Sequence, residues 1–325
     1  MSDSIKISAM QSNLYNINFI ISINKAIEEI INNNIAVIVL KGLSLRKYYM
    51  PPEIRTMGDA DILIHEEDVE KTLDILKQIG FKQVRKSGYH IELKNNKGFL
   101  IELHWKLINS DHFPKATEVI EKDLWNNLQN IKINNINALE LNKTYQLVYL
   151  LMHLAVHKKN HGFGIRQVMD LTLLIENEYK NINWKQVNEK IRYIGIKKFS
   201  DIIMLLANKL FNLRLINEME ISNSIEEKYM NVLIEYLFIG GVHGNLDPVH
   251  MLATRQTKLI VSSNQLEDKY GYAKRHKILL PIALIHRTIY TIRNSERTLI
   301  DLINYKTINR KKEKVQKKLN DKLFD

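Results

Sequence analysis

Asp59 and Asp61, in the stretch Gly58-Asp59-Ala60-Asp61-Ile62-Leu63-Ile64, are the residues whose type and spacing point most directly to chemistry. On a strand, residues two apart project from one face, so the two carboxylates stand side by side while Ala60, Ile62 and Ile64 turn to a core. Carboxylates that close repel and raise each other's pKa unless cations neutralise them. A shared divalent metal does this, and hard oxygen ligands favour magnesium or manganese. Read alone, the pair is equally a strand end with two solvated aspartates. In residues 99–106, Phe99, Ile101, Leu103 and Trp105 form one apolar face and leave Glu102, His104 and Lys106 on the other. If that strand neighbours 58–64, Glu102 is a third carboxylate beside the aspartates. Three carboxylates around two metal ions are what in-line phosphoryl or nucleotidyl transfer requires. The other reading of Glu102 and His104 is the polar side of a half-exposed strand.

Lys41-Gly42-Leu43-Ser44 stands upstream of the aspartates. A glycine between a buried strand and a helix lets backbone approach a phosphate closely, with Ser44 offering a hydroxyl and Lys41 a charge. The plain alternative is a helix cap. Arg55 could reach phosphate oxygens or be a surface charge.

These residues need a scaffold, and the first part of the chain supplies one that mixes strand and helix signals. In residues 12–31, Ile17, Ile20, Ile23, Ile27 and Ile30 recur every three or four positions, which predicts a helix ending before Asn32-Asn33-Asn34. The apolar run 35–40 reads as a buried strand, followed by a short helix over 43–49 that Pro51-Pro52 stops. A strand over 58–64 leads to a helix over 66–79, which opens on Glu66-Glu67-Asp68 and ends at Gly80. Two more strands, 89–94 and 99–106, are joined by the hairpin-prone Asn95-Asn96-Lys97-Gly98. After Asn142 the texture turns helical, with apolar stripes over 143–158, 164–178, 184–194, 197–211, 225–239, 251–262 and 277–304. The expected organisation is an α+β catalytic domain over 1–140, an all-α substrate-side domain over 141–305 and a basic tail over 306–325.

The order strand, Gly-x-Ser, short helix, Asp-x-Asp strand and later carboxylate strand resembles the nucleotidyltransferase superfamily built on the DNA polymerase β palm. More closely, Leu40-Lys41-Gly42, the run RTMGDADILI from Arg55 to Ile64, Ile79-Gly80-Phe81, Ile101-Glu102-Leu103-His104-Trp105 and the helical His153, His157, Arg166 and Asp170 resemble a family of uncharacterised bacterial nucleotidyltransferases. The resemblance covers residues 15–178. It implies a mixed sheet with flanking helices, Gly42 and Ser44 at the triphosphate, Lys41 and Arg55 on phosphate, and Asp59, Asp61 and Glu102 on a pair of Mg²⁺ or Mn²⁺ ions, with Glu102 the base for an acceptor hydroxyl. The gap from Gly42 to Asp59 is longer than in the usual superfamily motif, and the small residue that follows the glycine there is displaced to Ser44.

His153 and His157 lie four apart on a predicted helix and so face one way, a spacing that suits core histidines, a cleft lining or zinc. Arg166 and Asp170 read as an i,i+4 pair that the resemblance puts near the cleft. The function expected from all this is a magnesium-dependent transfer of NMP from an ATP-type NTP to an oxygen acceptor, with pyrophosphate released. The acceptor is a small molecule, a modified peptide, a protein side chain or an RNA end. A non-catalytic nucleotide-sensing or RNA-binding module on the same fold is the alternative, and a metal nuclease or phosphotransferase a third reading.

Composition narrows the context. The 325 residues contain no cysteine, which excludes thiolate metal sites and cysteine nucleophiles, so any metal rests on carboxylates or histidines. No apolar run approaches the length of a membrane span, so a cytoplasmic, membrane-free protein is expected. The net charge of +11 invites a nucleic-acid reading, yet residues 273–325 hold 14 Lys and Arg against 5 Asp and Glu, which leaves +2 for the rest. A nearly neutral catalytic part suits phosphate affinity that comes from metal and a few placed cations. The basic tail reads as a solvated helix or as a surface for an acidic partner or RNA.

Overall fold

The computed structural model describes residues 3–108, 113–133, 135–160, 162–222 and 227–240, with Leu279, Ile282 and Ala283 besides. His161, the expected helix 251–262, most of 277–304 and the tail 306–325 lie outside the described residues.

The chain opens with helix α1 (Asp3–Asn32), β1 (Ile38–Val39) and α2 (Lys41–Leu45), then β2 (Asp59–Leu63) and α3 (Val69–Gln78). Three strands follow, β3 (Lys82–Lys86), β4 (His90–Lys94) and β5 (Leu100–His104). After the short α4 (Pro114–Ala116), β6 (Leu128–Ile133) and β7 (Ile136–Leu141) form a hairpin. Five helices follow among the described residues, α5 (Lys143–Asn160), α6 (Ile165–Glu178), α7 (Trp184–Ile194), α8 (Lys197–Phe211) and α9 (Glu227–Gly240).

The seven strands of the described residues form one sheet in the order β3-β4-β5-β2-β1-β7-β6. It is mixed, since β2 runs parallel to β5 and β1 parallel to β7 while the other neighbours are antiparallel. The α+β expectation of a mixed sheet with flanking helices therefore holds. One face carries Val39, Ala60, Ile62, Ile91, Leu93, Ile101 and Leu103, which pack with Phe19, Ile23, Ile27 and Ile30 of α1 and Leu76 of α3 into one core. Strand alternation then places Asp59, Asp61, Glu102 and His104 on the opposite face, as the period of two requires.

Several elements differ from their expected extents. The run 35–40 is buried almost throughout, yet only Ile38 and Val39 make a paired strand. The helix predicted over 43–49 begins earlier, at Lys41, and continues as a 3₁₀ turn over Arg46–Tyr48. The first turn expected of the helix over 66–79 is also 3₁₀, Glu66–Asp68. Strand β3 and the β6–β7 hairpin had no expectation attached to them. Every residue of β3 is exposed, so the edge strand has no buried face to leave an apolar alternation. Helices α7 and α8 match the expected 184–194 and 197–211, and α7 is bounded by physics legible in the sequence. Asn183 caps its N-terminus by accepting from Gln186 N, and Gly195 closes it at φ 84°, in the left-handed region.

The chain divides into two compact units. The first, Met1–His153 with Val168–Ser222, holds the sheet and the core described above. The second, Leu154–Gln167 with Asn223–Asp325, contains among its described residues the C-terminal part of α5, the start of α6 and α9.

Candidate active site

The parallel pairing of β2 with β5 sets Asp61 directly opposite Glu102 and Asp59 opposite Leu100. The neighbourhood assumed between the two strands is thus real, and its register puts one aspartate level with the glutamate. Two residues along β5, His104 turns its Nε2 back to donate to Asp61 Oδ1 at 3.2 Å, with Glu102 Oε2 at 3.4 Å. From the turn after β1, the Lys41 ammonium donates to the same Asp61 Oδ1 at 2.5 Å. Asp61 and His104 are buried, Asp59 and Glu102 half-buried.

Burial by itself raises the Asp61 carboxyl, but Lys41 and His104 outweigh it and hold the group well below the usual carboxylate range. The same contacts act in reverse on the two cations. Burial pushes the Lys41 ammonium down, while Asp61, the Tyr149 phenol, Glu102 and Asp59 together keep it well above its ordinary value. His104 is lowered by burial and raised more by its bonds to Asp61 and Glu102, both made through Nε2, while its buried Nδ1 has no hydrogen-bond partner among the described residues. The Lys41 ammonium thus offsets a carboxylate pair that would otherwise repel, and His104 bridges the two. Lys41 holds its position with φ 44°, a left-handed conformation uncommon for a residue with a side chain.

Two groups of side chains among the described residues have three potential ligand atoms within 4.8 Å of one another, Asp61 with Glu102 and His104, and His90 with Glu92 and Glu102. Two carboxylate oxygens suit a hard divalent ion such as magnesium or manganese, and the imidazole extends the choice to zinc and iron. Asp59 belongs to neither group, although its charge is felt by both Lys41 and Arg55. The expected trio of Asp59, Asp61 and Glu102 is therefore on one face of one sheet, but the tight cluster is Asp61, Glu102 and His104.

Gly42 is buried, and a side chain there would collide with Met57 Sδ at 2.6 Å and approach Arg55 Nη2 at 3.3 Å. The glycine serves the packing of these two side chains over the turn. Arg55 is buried, and its Nε and Nη2 donate to the two oxygens of Asp170 at 2.8 and 2.7 Å, while Nη1 donates to Thr56 O at 2.8 Å. Tyr49 Oη adds a bond to Asp170 at 2.7 Å. The partner of Asp170 that matters to the turn is thus Arg55, 115 residues away in sequence, which local spacing could not reveal. Ser44 Oγ donates to Lys41 O at 3.2 Å and accepts from Gln146 Nε2 at 2.6 Å, so its hydroxyl braces the turn from within.

His153 is half-buried with its ring tilted against Tyr149, centroid to centroid 6.0 Å. Tyr149 is a residue that the sequence did not single out. It is buried close enough to Lys41, Asp61 and Glu102 to interact electrostatically with all three, and burial above all keeps its phenol protonated. His157 and Arg166 belong to the second unit, where the His157 carbonyl accepts from Gly162 N at 2.6 Å. Also unforeseen was His90, whose Nδ1 lies 2.9 Å from Ser87 Oγ and whose Nε2 is 3.7 Å from Glu92. Burial first, then the His104 charge, pushes it down to about 4, so it is neutral at pH 7.

Comparison with known proteins bears on these residues as a set. A family described as "Uncharacterised nucleotidyltransferase" matches residues 4–212, a span that contains every residue of the cluster. No curated protein sequence matches the chain. Among solved structures, the antibiotic-resistance factor ANT(2'')-Ia aligns over 54% of this chain and 90% of its own, with 9% identity and a TM-score of 0.41. The lincomycin-bound lincosamide antibiotic adenylyltransferase LnuA aligns over 47% of this chain and 94% of its own, with 16% identity and a TM-score of 0.35. An antigenic nucleotidyltransferase-like protein from Paracoccidioides brasiliensis aligns over 56% and 88%, with 16% identity and a TM-score of 0.33. Among the described residues, no helix is long and apolar enough to cross a membrane.

Proposed function

The chain belongs to the uncharacterised nucleotidyltransferase family, and from that premise we propose that it transfers a nucleoside monophosphate from an ATP-type NTP to an oxygen acceptor, releasing pyrophosphate. The observation that carries the proposal is the β2–β5 register, which sets Asp61 level with Glu102 on the face shared with Asp59 and brings Lys41 and His104 onto the pair.

Asp61 and Glu102, with Asp59 beside them, would hold Mg²⁺ or Mn²⁺ and His104 would lend a nitrogen. Bound there, a divalent ion supplies the positive charge that offsets a triphosphate and its leaving group. The rest falls to the chain's own groups. Glu102 is the less buried of the central pair, so it is placed to take the proton of the acceptor hydroxyl as that oxygen bonds to the α-phosphorus. The bond from the α-phosphorus to the bridging oxygen breaks, and the electron pair leaves with pyrophosphate. Lys41 provides a fixed ammonium beside the reacting phosphates. Arg55 acts at one remove, pinning the Lys41-Gly42 turn through Asp170. His153, its ring tilted against Tyr149, is the residue assigned to the acceptor side, and the acceptor is a small molecule, a modified peptide, a protein side chain or an RNA end. The tail 306–325 is separate from this chemistry.

Incubation with α-labelled ATP, GTP, CTP and UTP plus magnesium, with and without cell extract, tests the reading. Pyrophosphate release with a nucleotide-sized mass gain on the acceptor is expected, and Asp61→Asn is expected to lose both. Release of inorganic phosphate or nucleoside monophosphate instead would place the protein among phosphotransferases or nucleases. Nucleotide binding without turnover under all conditions would make it a sensing module.

A further inference from the structure

Helix α1 is apolar on two opposite sides. One stripe, Phe19, Ile20, Ile23, Ala26, Ile27 and Ile30, is buried in the core. The other, Ile7, Met10, Leu14, Ile17 and Ile21, lies at the surface, with exposures between 42% and 71%. At about 100° per residue the exposed five fall within a stripe roughly 80° wide, centred about 160° around the helix from the buried one. An amphipathic surface helix carries polar residues on that side. Here the spacing from Ile7 to Ile21 runs 3, 4, 3, 4, the alternation that brings side chains onto the seam of a paired coil.

We propose that two copies of this chain associate through the α1 stripe Ile7-Met10-Leu14-Ile17-Ile21. A seam with this alternation is complementary to itself, so an isologous pair about a two-fold axis satisfies both copies at once. Charge favours the same occupant. No ionisable side chain other than Tyr15 occurs from Ile7 to Asn24, although the chain as a whole carries +11. Two copies can therefore meet along this stripe without like charges facing one another. Its flanking residues Gln11, Asn13 and Asn18 are neutral hydrogen-bonding groups, whereas a helix that lies on an anionic membrane carries Lys and Arg beside its apolar face. The stripe ends where Lys25 and Glu28 continue the same side of the helix, which sets the length of the seam. Five such residues from each copy bring together on the order of 1,000 Å², near the least that a specific interface buries.

The test uses the full chain. Sedimentation equilibrium from about 1 to 200 µM is expected to give a monomer–dimer equilibrium for the wild type and a monomer for Leu14→Glu and Ile17→Glu, with circular dichroism unchanged. Because the chain has no cysteine, Leu14→Cys reports contact directly. Leu14 is the middle residue of the seam and meets its mate whether the helices run parallel or antiparallel, so mild oxidation is expected to give a covalent dimer. Val84→Cys, on the exposed edge strand β3, is the control and is expected to stay monomeric. A wild type monomeric throughout that range, or Leu14→Cys that crosslinks no faster than Val84→Cys, overturns the proposal. That result would assign the stripe to another part of this chain or to a different protein.

Discussion

Arg55 and Asp170 form a buried two-pronged ion pair, Nε and Nη2 on the two carboxylate oxygens at 2.8 and 2.7 Å. The pair joins the loop that leads into β2 to helix α6, and Tyr49 Oη secures it from a third direction. Because Arg55 also covers Gly42, helix α6 indirectly fixes the turn that carries Lys41. Replacing Asp170 by Ala leaves a guanidinium buried without its counter-ion, and such losses cost about 3–5 kcal/mol. Urea denaturation is expected to register that loss for Asp170→Ala. A double Arg55→Met, Asp170→Leu variant is expected to recover most of the stability and little of the transferase activity. Equal recovery of both would mean the pair is structural padding with no hold on the turn.

A second expectation concerns Gly42, whose φ is not in the left-handed region, so any penalty for a side chain is steric. Gly42→Ala drives a methyl against Met57 Sδ and towards an Arg55 that Asp170 holds still. Overpacking of this kind costs about 1–3 kcal/mol. Met57→Ala in the same chain opens the space and is expected to return part of the loss, which a double-mutant cycle measures as a favourable coupling. Lys41, next in line, behaves oppositely. Its φ of 44° suits glycine, so Lys41→Gly relieves strain and costs less stability than Lys41→Met, although both lose the ammonium.

How far the site could be read from the chain depends on which forces place each residue. Asp59, Asp61, Glu102 and His104 were legible because a period of two against a buried face is local information, and the β2–β5 register then follows from matching apolar runs. The hold of Asp170 on Arg55 was not, since nothing local distinguishes a carboxylate that bonds 115 residues back from one that bonds a turn away. Ser44 shows the same limit. A hydroxyl after a glycine suggests phosphate, but Gln146, 102 residues on, occupies it. Ile17 fits the apolar spacing of α1 and yet faces outward, because one helix carries two stripes and spacing alone does not say which is buried. Strand β3 was missed for want of any buried face.

Lys41 gives an expectation for behaviour without metal. Its ammonium and His104 are the cations that balance Asp61 and Glu102 in the chain itself. Lys41→Met is expected to lower the Tm most in EDTA and less with Mg²⁺, because loss of the ammonium frees Asp61 Oδ1 for the ion, so that at one metal concentration the variant binds more tightly and gains more than the wild type. The sign of the pH effect is fixed by the two shifts. The Lys41 pKa is raised, so its contribution is complete below the unfolded value and fades only as pH climbs through the folded one; that of Asp61 is depressed, so its contribution fades only in acid. The wild-type to Lys41→Met difference is therefore expected to be flat near about pH 5 and to rise only where His104 loses its proton, because that relieves the repulsion between the imidazolium and Lys41. A difference that falls with rising pH would mean that a different group supplies the balance.

The sharpest expectation separates Asp61 and Glu102 by role. Asp61 is buried with its Oδ1 held by both Lys41 and His104, which suits a fixed ligand, whereas Glu102 is about a fifth exposed at its side chain and keeps access to an acceptor. Glu102→Gln removes a proton acceptor from the face without adding bulk, and loss of a general base costs about 10²–10⁴ in rate. Its kcat is expected to fall by that factor while the KM for NTP changes little, and the fall is expected to shrink for an acceptor whose hydroxyl is already acidic. Asp61→Asn disturbs both cations as well as the metal site, so kcat, metal affinity and Tm are all expected to drop. Asp59→Asn, outside the tight cluster, is expected to weaken metal binding with a smaller effect on Tm than Asp61→Asn. If Glu102→Gln instead raised KM alone, the glutamate would be a binding group and the base would have to be sought at Asp61.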